Sequence, residues 1–129
     1  MNESAETAIR DLWTRYFAAY EGLDAKGCAG VFAENAWVVS PWGPPAQGRD
    51  AIEDAHLTWF EEGERNKTAQ VVDLQVAGPS AVCLLRFEAD IPDGTRVAGI
   101  NLNVLRETAS GGWEITHSSL NDIDINEPF

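Results

Sequence analysis

Between Ser4 and Tyr20 the apolar positions Ile9, Trp13, Tyr16, Phe17 and Tyr20 recur at three- and four-residue spacing, which predicts a helix with one aromatic face. Ser4 is placed to cap its start, and Gly22 ends it. Asp24 then caps a second, shorter helix whose face is Cys28, Val31 and Phe32. Gly27 and Gly30 weaken that helix by about 1 kcal/mol each relative to alanine, so it depends on packing. Ala36 to Ser40 reads as a strand stopped by Pro41 and the WGPP turn. After Gly48, the segment from Asp50 to Glu62 places Ile52, His56, Trp59 and Phe60 along one side of a third helix, with Asp50 and Glu53 in capping-box positions.

Beyond that helix the period changes. Thr68–Ala77, Ala81–Ile91, Arg96–Glu107 and Trp113–Asp122 read as strands separated by AGPS, PDGT and ASGG, links of hairpin length. Four strands in a meander after three helices predict an α+β domain with the helices on one face of the sheet. The last residues, DINEPF, read as a tail.

Length and charge narrow the picture. The 129 residues suit one domain, spanning 1–129, and no apolar run reaches the ~20 residues of a membrane span. The polar, acidic start carries no secretory pattern, so the expected location is cytoplasmic. Twenty-one acidic against nine basic residues give a net charge of −12, a surface that repels phosphate backbones and anionic lipid. Neither nucleic acid nor membrane is an expected partner. Cys28 and Cys83 lack metal-ligand or disulfide-framework spacing and read as buried thiols. No acidic run has the spacing of a metal site, and no cofactor is implied.

The helix, helix, strand, helix and meander order, together with Tyr16, Gly22-Leu23-Asp24, Val31 to Ala36, Pro41-Trp42-Gly43, Gly48-Arg49 and Trp113 to His117, resembles the NTF2-like superfamily, and within it the SnoaL-like and ketosteroid-isomerase-like members. The resemblance spans nearly the whole chain. It implies an NTF2-like cone, three N-terminal helices packed on a strongly curved antiparallel sheet that encloses an apolar pocket, often in a homodimer. Fold alone does not choose among the isomerases, cyclases, hydrolases, dehydratases and binding modules built this way.

Matched to the ketosteroid isomerases, the oxyanion-hole tyrosine of the first helix falls on Tyr16, and the second oxyanion donor falls on Asn103. Asparagine donates a hydrogen bond without having to stay protonated. The general-base aspartate falls on Ser40, whose hydroxyl has no useful basicity near neutral pH. A supporting tyrosine of the third helix falls on His56, the one group of that neighbourhood that titrates near neutral pH. Tyr16, His56 and Asn103 are thus the candidate catalytic set, able together to hold a carbonyl or phenol oxygen and supply a base.

Period two separates Gly99, Asn101, Asn103 and Leu105 from Ile100, Leu102 and Val104. Read alone, the apolar set belongs to the core and the asparagines to solvent. The resemblance reverses this: Asn101 and Asn103 line the pocket, while Ile100, Leu102 and Val104 join Trp113, Ile115 and His117 in a dimer interface on the convex face. In the same register Val38 and Ser40, Leu85 and Phe87, and Thr116, Ser118 and Leu120 line the pocket, with Trp13, Phe17 and Trp59 from the helices and Trp42 at the rim. A slip of one residue would bring His117 inward in place of Thr116 and Ser118 as an alternate base.

Two functional readings follow. The first is an isomerase- or cyclase-type enzyme acting on a small apolar carbonyl or enol compound through a Tyr/Asn oxyanion hole. The second is a non-catalytic module that binds a small ligand or dimerises. A cavity below about 300 Å³ would favour dimerisation.

Overall fold

The computed structural model describes residues 2–127, and Met1, Pro128 and Phe129 of the chain's ends lie outside the described residues. Its elements run α1 (Asn2–Glu21), α2 (Ala25–Ala29), β1 (Phe32–Val39), β2 (Ala46–Gln47), α3 (Arg49–Glu61), β3 (Arg65–Ala77), β4 (Ser80–Asp90), β5 (Arg96–Glu107) and β6 (Trp113–Ile123). The strands form one curved sheet in the order β2-β1-β6-β5-β4-β3. The β3 to β6 meander is antiparallel, and β1 joins it alongside β6 in the parallel sense. This is the α+β, NTF2-like arrangement that the resemblance implies.

Alternation sorts each strand between core and solvent. On β4, Ala81, Cys83, Leu85, Phe87 and Ala89 are buried beneath the helices, and on β5, Gly99, Asn101, Asn103 and Leu105 point the same way. The apolar β5 residues between them face outward, Leu102 being 49% exposed. Ile9, Leu12, Trp13, Tyr16 and Tyr20 of α1 and Ile52 and Phe60 of α3 close the core from the other side.

β6 departs from strict alternation. Val104 pairs with His117 and Leu105 with Ile115, so Thr116 is an extra residue, a bulge whose hydroxyl donates to Val104 O at 3.1 Å. The bulge resets the phase. Trp113 and Ile115 before it and Ser118 and Leu120 after it are all buried on the helix-covered face, while His117 is exposed. Trp113 and Ile115 are therefore core residues, not part of an outward-facing interface.

The caps also differ in detail from the expectation. Asp24 caps α2, accepting from Gly27 N at 2.9 Å. Ser4 lies inside α1. Gly48, with φ of +88°, precedes α3 and no side chain caps it, which leaves Asp50 in the first turn, where its charge suits the helix dipole. Arg49 ties α3 to β1 through Nε donating to Phe32 O at 2.8 Å.

Candidate functional site

The aromatic face of α1 and the buried side of α3 meet over the sheet. Where they meet is an inner cavity of about 20 Å³, room for one water-sized group. α1 contributes Trp13, Tyr16 and Phe17, and α3 contributes His56 and Trp59. The sheet contributes Phe32 and Val38, Leu85 and Phe87, Asn101, Ser118 and Leu120, and β3 adds Lys67. Trp59 and Phe87 also belong to a cleft of about 590 Å³ at the mouth, where Trp42 forms the rim with Ile91, Pro92, Ile123 and Ile125. Trp42 is held there by its indole N–H, which donates to Asp122 Oδ2 at 3.1 Å.

A buried polar contact at the cavity wall joins Tyr16 and His56, Oη to Nε2 at 2.8 Å. Its direction follows from the other ring nitrogen. Nδ1 lies 2.7 Å from Ile52 O, one turn back on α3, and a carbonyl only accepts, so Nδ1 carries the hydrogen. In a neutral ring Nε2 is then an acceptor, and the Tyr16 hydroxyl donates to it. His56 is 1% exposed, and burial, aided by the charge of Lys67, lowers its pKa to about 4 and holds the ring neutral. Burial likewise raises the Tyr16 pKa well above that of a free phenol. Tyr16 thus spends its hydrogen on His56 and presents oxygen lone pairs to the cavity.

Asn103 is fully buried, and its amide Nδ2 donates to Asn101 Oδ1 at 2.9 Å, with Asn101 O at 3.2 Å and Cys83 O at 3.4 Å. Its hydrogens are taken up inside the sheet, behind the cavity wall. Asn101, which does line the cavity, donates in turn to Ser118 Oγ at 2.8 Å and Ser119 O at 3.2 Å. Ser118, as acceptor, keeps its own hydroxyl hydrogen for the cavity. Ser40 follows β1, half-buried, and accepts from Trp42 N at 3.3 Å, a local turn away from the cavity wall. Thr116 lies on the bulge, and His117 stands on the outer face.

Sequence reasoning missed Lys67, one of only two lysines in the chain. The predicted strand began three residues too late, at Thr68, which left Lys67 outside it. In the structure β3 starts at Arg65, its register shifts between Arg65 and Thr68, and Asn66 sits at φ of +55°. That irregularity turns the Lys67 side chain inward, to 4% exposure. Its ammonium lies 4.6 Å from the ring centres of both Tyr20 and Phe87 and 5.6 Å from that of Trp59. Glu64 Oε1 is 3.7 Å away and also accepts from the Tyr20 hydroxyl. Burial lowers the Lys67 pKa, which Glu64 partly restores. A lone lysine beside a polar turn carried no pattern that separates it from a solvated one.

The mouth is acidic. Glu62, Glu64 and Asp122 line it, and the guanidinium of its Arg96 is taken by Glu88 and Asp90, at 2.9 Å each. Among the described residues, no cluster of His, Cys, Asp or Glu is arranged to hold a metal and no helix is long and apolar enough to cross a membrane.

Solved structures share the fold. A ketosteroid isomerase-like protein from Erwinia carotovora atroseptica superposes with a TM-score of 0.80 at 20% identity, over 92% of this chain and 95% of that one. A putative calcium/calmodulin-dependent protein kinase type II association domain from Thiobacillus denitrificans gives 0.75 at 20% identity, over 88% and 93%. An NTF2-like protein with a cystatin-like fold from Novosphingobium aromaticivorans gives 0.72 at 20%, over 94% and 83%. The chain matches no curated protein sequence. The model of the SnoaL-like domain matches residues 3–119, nearly the full length, and the chain belongs to that family.

Proposed function

We propose that this chain, as one SnoaL-like unit over 1–129, acts on a small, mostly apolar carbonyl or enol compound as an isomerase- or cyclase-type enzyme that moves a proton without a cofactor. The observation that carries the reading is the Tyr16–His56 hydrogen bond at the cavity wall, 2.8 Å long and with its direction fixed by Ile52 O. A proton leaving the ligand passes to the Tyr16 oxygen as the Tyr16 hydrogen passes to His56 Nε2. The dyad so takes the part of the carboxylate that Ser40 lacks. A buried histidine with a pKa of about 4 is close in strength to the carboxylate bases of such enzymes, about 4.6. Ser118 supplies a donor for the oxygen on which negative charge develops, and Asn103 acts through Asn101 as a positioning residue. The ligand's body lies in the mouth against Trp42, Trp59 and Phe87, where the acidic rim and the net charge of −12 favour a neutral or cationic molecule over an anion.

The test is exchange of ligand α-protons in D2O, followed by proton NMR across a panel of small cyclic and aryl ketones. Exchange above the buffer rate, lost in His56→Ala, is the expected result. Full exchange in that variant removes His56 from the mechanism.

A second reading, a non-catalytic binding or dimerisation module, is favoured by the inner cavity of about 20 Å³ and by the shared fold of an association domain. It requires binding without turnover across the same panel. In either reading the apolar convex face carries a homodimer, and the protein works in the cytoplasm with neither nucleic acid nor membrane as partner.

A further inference from the structure

The Lys67 side chain separates two spaces. On one side is the inner cavity, and on the other a groove of about 630 Å³ between α1 and β3, lined by Phe17, Leu85 and Val71 among others. Lysine ammonium groups are strongly hydrated and seldom buried. This one is 4% exposed, faces three aromatic rings, and has its carboxylate partner at 3.7 Å, longer than a hydrogen bond. An amine desolvated in an apolar pocket beside a carboxyl group that can carry protons is the arrangement in which lysine reacts with carbonyl compounds.

We propose that Lys67 is an imine-forming amine, and that carbonyl ligands of this site are held and activated as the iminium. The proposal rests on the carbonyl-ligand reading given above and names the group that makes the ligand's α-carbon acidic. The ammonium first gives a proton to the Glu64 carboxylate, which frees the nitrogen lone pair. That pair attacks the carbonyl carbon while the π pair moves to oxygen, which takes the proton back from Glu64. A second proton passes from nitrogen to Glu64 and then to the hydroxyl, which leaves as water as the C=N bond forms. The sum is an ammonium and a carbonyl giving a protonated imine and one water, with Glu64 again a carboxylate and no oxidant or reductant consumed. The cation stays between the same rings and the same carboxylate as before. Burial, the largest influence on this amine, favours the uncharged form that attacks. The Tyr16–His56 pair lines the same cavity and is placed to take the α-proton, the iminium acting as the electron sink.

Because the chain has two lysines, the experiment carries its own control: Lys26 is exposed on α2, whereas the Lys67 side chain is 4% exposed. The folded protein is incubated at pH 7 with benzaldehyde and sodium cyanoborohydride, which reduces an iminium to a stable secondary amine, and the modified lysine is located by peptide mass spectrometry. Trp fluorescence follows benzaldehyde binding without the reductant. Expected is modification of Lys67 at least about tenfold faster than of Lys26, because only Lys67 has a ligand cavity and a proton carrier beside its amine. Glu64→Gln should slow Lys67 by about a hundredfold, the scale of a lost proton carrier, and leave Lys26 unchanged. Modification of Lys26 with Lys67 untouched overturns the proposal. If benzaldehyde then still binds saturably, the carbonyl reading survives without it; if it does not bind, both fall.

Discussion

His56 shows how burial decides what a residue can do. A solvated histidine is half protonated near pH 6.5, whereas this one remains neutral to about pH 4. A depressed folded-state pKa means that the unfolded chain binds the proton first, so stability is full above pH 6.5 and is lost as pH falls toward 4. The size of that loss is about 3 kcal/mol. Urea unfolding at pH 7 and pH 4.5 should show most of it in the wild type and little in His56→Gln, and equal slopes in the two proteins would contradict the burial account. Tyr16→Phe removes the hydrogen that Nε2 accepts and leaves a buried acceptor alone, a cost of about 1–3 kcal/mol in the same assay. At this scale helical spacing placed Tyr16 and His56 on two apolar faces, the resemblance to the ketosteroid isomerases singled them out as site residues, and the structure puts them in hydrogen-bond contact. The hydrogen-bond direction was not legible, because it depends on the Ile52 carbonyl one turn away on the same helix. Nor was the use of Asn103's donors inside the sheet, since the neighbours of a strand residue lie far off in the chain.

Among the elements, the strands that alternate cleanly were readable and the irregular ones were not. β4 and β5 pair in unbroken register from Ser80–Arg106 to Asp90–Arg96, so one inward residue places all the others. β6 and β3 contain register shifts, and there sequence reasoning misplaced Trp113 and Ile115 and overlooked Lys67. A bulge inserts one residue without leaving a composition signal of its own, which is why period two failed at those points. β2 is only two residues long and follows two prolines, too little for any period. The β4–β5 pair also explains Gly99. A Cβ at that position would run into the Phe87 ring and stand 2.6 Å from Asn121 O, so the absent side chain is what makes room for the Phe87 ring between the cavity and the mouth. Gly99→Ala should displace Phe87 and destabilise the protein by about 1–3 kcal/mol. Unchanged thermal stability and unchanged benzaldehyde binding in that variant would show that Phe87 does not depend on Gly99.

For the whole molecule, the helices cover one face of the sheet and leave the other bare. Trp37, Val39, Val82, Leu102 and Val104 are large apolar side chains at 36% exposure or more, and all but Val82 lie on β1 and β5, the two strands on either side of β6. A monomer seldom presents an apolar patch of that kind to water. The proposed homodimer buries it, and Leu102→Asp, at a site 49% exposed in the single chain, should disrupt the dimer while sparing the fold. Analytical ultracentrifugation should show a dimer mass for the wild type and a monomer mass for the variant. A variant that keeps the dimer mass would sink the assignment. The general architecture was the most legible level, because the order of helices and strands and the hairpin links constrain it together.

The central claim is the polarity of the Tyr16–His56 bond, since it makes the pair a proton acceptor for the ligand and not a donor to an oxyanion. The chain has two histidines, so nitrogen NMR of histidine-labelled protein, with His117→Asn to assign the second ring, reads His56 directly. The account predicts a neutral ring with hydrogen on Nδ1 that titrates only near pH 4. A hydrogen on Nε2, or a midpoint at 6.5 or above, would mean that His56 donates to Tyr16, that the Tyr16 hydroxyl is free to donate to a ligand, and that the proposed proton relay is wrong.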